Sequence, residues 1–117
     1  RDIPGLDQAG ALQRMLGNRA LYLRMLQRSH EEYATLPADL RDMLADGRRE
    51  EAAELLHRVK SIIATLGAVR LEVLAGEFEA ALLAERDGAA ELEAFEAEFI
   101  RLRAAVQETL EDAAGAP

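Results

Sequence analysis

Apolar residues recur along this chain at intervals of three and four, separated by short polar breaks, and that rhythm divides it into helices. Ala9, Leu12, Met15 and Leu16 form a first stripe behind Asp7, a good N-cap, so a short helix is expected from Asp7 to Leu16. Gly17 closes it, and Asn18 caps a second helix carrying Leu21, Tyr22, Met25, Leu26, Ser29 and Tyr33. Pro37 interrupts or redirects that helix. A short helical piece, Ala38 to Ala45, follows, and Gly47 stops it. A third helix is expected from Arg49 to Leu66, with Gly67 as its stop. A fourth covers Val69 to Glu85, turning Leu71, Leu74, Ala75, Phe78 and Leu82 inward. Arg86-Asp87-Gly88 reads as a turn. The fifth helix, Ala89 to Glu111, places Leu92, Phe95, Phe99, Leu102, Val106 and Leu110 along the seam of a bundle.

Short loops between long amphipathic helices make antiparallel neighbours. The expected fold class is therefore all-α: an up-down antiparallel four-helix bundle with an additional short N-terminal helix. One domain is expected over residues 1–117, with its ordered core at 6–111 and a frayed tail at 112–117.

Composition narrows the chemistry. The 117 residues carry a net charge of −8, and an acidic surface repels phosphate backbones, so nucleic acid is not an expected partner. Two tyrosines and three phenylalanines leave no platform on which bases could stack. With no cysteine, disulfides and thiolate metal sites are excluded, and a reducing cytoplasm is compatible. The longest apolar run, Ile62 to Val69, is too short to span a bilayer, and no signal peptide is visible, so membrane contact is not expected. A start at Arg1 instead of Met suggests a piece of a longer protein.

The stretch Ala52 to Ala68, AAELLHRVKSIIATLGA, holds the candidate chemistry. At about 100° per residue, Leu55, Val59, Ile62 and Leu66 lie on the far side of the helix from His57. The imidazole is thus expected in solvent, sharing its face with Glu50, Ala53, Glu54, Lys60, Ser61 and Ala64. Ala53, Ser61 and Ala64 are short and would leave a low collar over which another protein could approach. A neutral imidazole is a competent nucleophile near neutral pH. Lys60, one turn away, can reach a phosphoryl group attached to it. The bland alternative is an ordinary surface histidine.

These residues resemble a known signature. LLHRVKSIIATLGA is similar to the A-H-x-L-K-G-x-x-x-x-L-G-A motif of histidine-containing phosphotransfer (HPt) domains, with His57, Lys60, Leu66, Gly67 and Ala68 in place and Val59 for leucine. LEVLAGEFEAAL resembles the family's L-x-x-x-A-x-x-L-E-x-A, and ALQRMLGNRALYLRML its opening helix and break. The resemblance implies a phosphorelay carrier without kinase activity of its own, phosphorylated on His57. It further implies that Glu79 orients the imidazole, because the family uses a Gln or Glu on the following helix. The implied partner is a receiver domain of a response regulator or hybrid kinase. That domain carries Mg²⁺ beside its aspartate, so no metal or cofactor is expected in this chain. A monomer is expected, in the cytoplasm or as the cytoplasmic part of a sensor kinase.

The chain departs from the family at Ser61, where glycine is usual, and at Ile62 and Ile63, where small residues are frequent. Ser61 leaves open a non-catalytic helical adaptor that has lost phosphotransfer. Glu54 and His57 also form E-x-x-H, half of a di-iron motif, but the second half is missing: the residue three before His30 is Gln27. His30 reads as a helix-surface residue.

Overall fold

The computed structural model describes residues 3–115, and every regular element among them is an α-helix. These are α1 (Gln8–Arg14), α2 (Arg19–Glu32), α3 (Leu36–Ala45), α4 (Arg49–Leu66), α5 (Val69–Leu83) and α6 (Ala89–Ala114). The Asp7 carboxylate accepts from the Gly10 N–H and the Asn18 side chain from the Leu21 N–H, each at 3.0 Å, so both N-caps act as the sequence predicts.

The helices occupy four corners. α4 packs on α5, α5 on α6, and both α4 and α6 on a corner that α2 and α3 share. α4 and α6 face each other across the diagonal. Together α2 and α3 span about 36 Å of helix, close to the roughly 39 Å of α6, so two short helices do the work of one long one. Their joint holds Pro37, which begins α3 instead of breaking it: proline is tolerated in a first turn, where its missing N–H would have no partner. α3 therefore starts at Leu36, before the expected Ala38, with Leu36 and Pro37 both buried. Two-pronged bonds from Arg41 to Glu96, at 3.1 and 2.8 Å, join α3 to α6.

Tyr22, Leu40, Leu56, Phe78 and Phe95 are fully buried and fill the centre. The buried arc of α4 runs through Ala52, Leu56, Val59, Ile63 and Leu66 and also takes in Ala53. Leu55 and Ile62, expected at its middle, are only partly buried. α4 is clasped on two sides, and α5 rotates its buried face toward Ala53. The stripe of α1 is likewise Ala11, Leu12 and Met15. Ala9 is exposed, and Leu16 is 95 % exposed, outside the helix with a positive φ of 55°. α5 stops at Leu83, two residues early, and α6 continues to Ala114, so Asp112–Ala114 are helical where a frayed tail was expected. Ala116 and Pro117 lie outside the described residues.

The end of α4 is tied off from three directions. Gly67, at φ 83°, forms a left-handed turn in which its N–H bonds the Ala64 carbonyl and the Ala68 N–H the Ile63 carbonyl. The Arg14 guanidinium donates to the Ala64 and Thr65 carbonyls at 2.9 and 3.2 Å, and the Tyr22 hydroxyl to Leu66 at 2.9 Å. The Asp7 N–H donates to Gly67 at 2.7 Å. All the carbonyls that a helix end leaves orphaned thus find donors. The N-terminal segment making the last of these bonds buries Ile3 and Leu6, extending the core beyond the expected start at residue 6. Arg101, paired bidentately with the buried Glu98 at 2.9 and 2.6 Å, fastens this segment by donating to the Pro4 carbonyl at 2.6 Å.

Two substitutions test this packing. Leu56→Ala should cost about 2–5 kcal/mol in urea denaturation, and Leu55→Ala distinctly less, because only the first side chain is fully buried. A Cβ at Gly67 would stand 2.3 Å from the Asp7 carbonyl oxygen. Gly67→Ala should therefore cost more than the roughly 1–2 kcal/mol of left-handed strain alone, and should loosen hydrogen-exchange protection at the Asp7 amide.

Candidate functional site

The site lies on the α4–α5 hairpin. His57 is nine residues before the end of α4 and Glu79 ten after the start of α5. At 1.5 Å per residue these are about 14 and 15 Å from the joint, so the antiparallel helices bring the two side chains level.

His57 is exposed, its side chain 73 % accessible, while that of Glu79 beside it is only 12 % accessible. Glu79 Oε2 lies 3.1 Å from His57 Nδ1, and Oε1 accepts from Lys60 Nζ at 2.8 Å. One carboxylate thus bridges an imidazole and an ammonium. An ionised carboxylate only accepts, so the proton of a neutral His57 ring sits on Nδ1 and Nε2 keeps its lone pair toward solvent. The Lys60 hydrogen bond and charge, with a smaller contribution from His57, outweigh desolvation and hold Glu79 below the usual carboxylate range.

The collar around His57 is partly as expected. Ser61 is exposed. Ala64 is half-buried, with its carbonyl taken by Arg14. Ala53 is buried, because α5 lies against that side of α4; it belongs to an open groove bordered by Glu50, Glu54, His57, Arg58, Glu79 and Leu83. Glu54 was expected on this face, whereas Arg58 was not singled out from the sequence, although it adjoins His57 on the exposed part of α4. His30 lies outside this site, on α2, where its carbonyl accepts from Arg103. Among the described residues no three His, Cys, Asp or Glu side chains gather as a metal site would require, and no helix is long and apolar enough to cross a membrane.

The bundle thus carries an exposed histidine midway along one helix, in hydrogen-bond contact with a carboxylate from the next. The family model of the Hpt domain matches residues 22–114, and the chain belongs to that family. Its members are phosphocarriers of two-component signalling that interact with receiver domains, and they are not themselves enzymes. The matched region begins inside α2, so α1 and the segment before it lie outside it. Comparison with curated proteins and with solved structures gives no match.

Glu79 gives the site a pH signature. Its acidity is raised on folding, so its contribution to stability is present above its unfolded value of about 4.3 and is lost as pH falls through the lower folded value. Urea midpoints of the wild type and Glu79→Gln should therefore differ most near neutral pH and converge as the solution is acidified below that range. A gap that stays constant down to about pH 3 would show that the charge of Glu79 does not matter to folding.

Proposed function

We propose that this domain is a phosphorelay carrier. In this reading, His57 accepts a phosphoryl group from the aspartate of one receiver domain and passes it to the aspartate of another. The observation that carries the reading is the Glu79 carboxylate held between His57 Nδ1 and Lys60 Nζ, which leaves Nε2 as the free nucleophile.

The Nε2 lone pair attacks phosphorus, the N–P bond forms as the aspartyl O–P bond breaks, and the aspartate departs as a carboxylate. The ring keeps its Nδ1 proton and becomes cationic, and the Glu79 carboxylate faces that new charge. Lys60 spends one of its three donors on Glu79, and the others remain for the phosphoryl oxygens. Return transfer to a second receiver reverses each step. The receiver supplies Mg²⁺ at its own aspartate, so this chain's part is to hold and orient the imidazole. In-line transfer requires both backbones to come close. Ser61, exposed one turn from His57, and Ala64 beyond it give a low docking surface, with Ala53 in the floor of the adjoining groove. The carrier works as a monomer on the cytoplasmic side, beside or within a hybrid sensor kinase.

The test is incubation with receiver domains loaded from acetyl phosphate, following the phosphoryl group by mass. His57→Gln should abolish labelling while changing stability by no more than about 0.5 kcal/mol. Lys60→Ala should slow transfer about fivefold at low salt, as expected for roughly 1 kcal/mol from a partly exposed charge. Ser61→Trp should weaken receiver binding and transfer together at an unchanged melting temperature. Absence of label on the folded wild type with a panel of receivers would favour the adaptor alternative, with Ser61 in place of the usual glycine as its mark.

A further inference from the structure

The inner side of α4 borders a feature that phosphotransfer does not use. Between α2, α4 and α6 lies an apolar cavity of about 80 Å³, walled by Leu26, Leu36, Val59, Ile63, Leu102 and Val106. His30, Phe99 and Arg103 line it as well, and the same three residues line a surface groove between α3 and α6. They therefore form a rim between the cavity and solvent.

The charge at that rim is unbalanced. Arg103 is half-buried; its guanidinium donates to the His30 carbonyl and lies 3.4 Å from His30 Nε2. Arg41, Arg48, Arg86 and Arg101 are each held by a carboxylate, but among the described residues Arg103 forms no such pair. The acidic residue in the groove, Glu96, is already engaged by both prongs of Arg41. A half-buried cation with no carboxylate paired to it among the described residues thus stands at the mouth of an apolar space, in a chain whose net charge is −8.

We propose that this cavity binds a small amphipathic monocarboxylate, with its tail among the apolar side chains and its carboxylate on the Arg103 guanidinium. The volume has room for about three water-sized groups, which suits a tail of about three carbons. Water is a poor occupant, because the walls offer it few hydrogen-bonding partners. The planar fork of a guanidinium matches a carboxylate better than any other common small anion except phosphate, and a phosphate has no apolar tail to fill the space. The site is separate from His57 and does not depend on the phosphotransfer reading.

Butyrate is the probe. Titrated into the isotopically labelled domain, it should produce saturable methyl shifts at Leu26, Ile63 and Val106, with a dissociation constant on the order of millimolar for so small a ligand. Acetate, which lacks the tail, and butylammonium, which has the wrong charge, should leave those methyls unmoved. Arg103→Met should weaken butyrate about tenfold and Arg103→Lys by less, the loss expected when a charge-assisted bond is removed or made less directional. The ligand series on the wild type decides the matter even where an Arg103 variant is unstable. No saturable shift with butyrate, equal shifts with acetate or butylammonium, or unchanged binding by a folded Arg103→Met protein would each overturn the proposal.

Discussion

Between Leu66 and Val69 the chain reverses direction in two residues. Gly67 takes a backbone conformation that side chains resist, and its missing Cβ makes room for the Asp7 carbonyl pressed against it. That contact leaves no slack in the joint. Because the joint is rigid, distance along α4 converts directly into distance along α5, and His57 meets Glu79 without any loop to position either. The bonds from Asp7, Arg14 and Tyr22 then hold the end of α4 against the rest of the bundle. A site made of side chains on two helices is only as well placed as their register, and here the register is set at one turn.

Glu79 shows how the bundle tolerates a charge at its margin. Its carboxylate is largely withdrawn from water, which opposes ionisation, yet two donors face its two oxygens. The same arrangement recurs at Glu98, more deeply buried and gripped by Arg101 with Arg70 nearby, where the outcome is a fastened N-terminal segment. The chemistry of the two carboxylates is alike, and their surroundings assign them different work. Glu98 meets two guanidiniums that stay charged at any ordinary pH. Glu79 meets one ammonium and one imidazole, and the imidazole also faces solvent.

The sequence was most legible where a local signal had a local cause. Asp7 and Asn18 cap the helices they precede, Gly67 ends α4, and the exposure of His57 follows from the angular position of the large apolar residues around it. Glu79 was visible only through resemblance, since its pairing spans two helices and no periodicity encodes that. A helical projection that follows the large apolar residues misplaces Ala53 for a related reason. It weights bulky side chains, whereas a close approach of α5 is made against a small one, and burial follows the neighbour and not the hydropathy of the residue. Ile3 and Leu6 form no periodic stripe, so their burial could not be read from spacing. Leu16 ended in solvent because the turn between α1 and α2 needed its backbone in a left-handed conformation. Continuation of α6 past Glu111 reflects Ala113 and Ala114, the strongest of helix formers, with no glycine or proline before Gly115.

The connections of the bundle are unequal in what they must preserve, and this bears on how such a chain can vary in length over evolutionary time. One residue inserted after Gly67 would break the tight turn that sets the register of α5 on α4 and carry Glu79 away from His57. Residues added between Ala84 and Gly88 would lengthen a surface turn whose flanking helices are held by their own packing, which leaves the pairing of His57 with Glu79 untouched. Length polymorphism should therefore gather at the α5–α6 turn, and the interval of 22 residues from His57 to Glu79 should behave as a fixed word in an otherwise editable text.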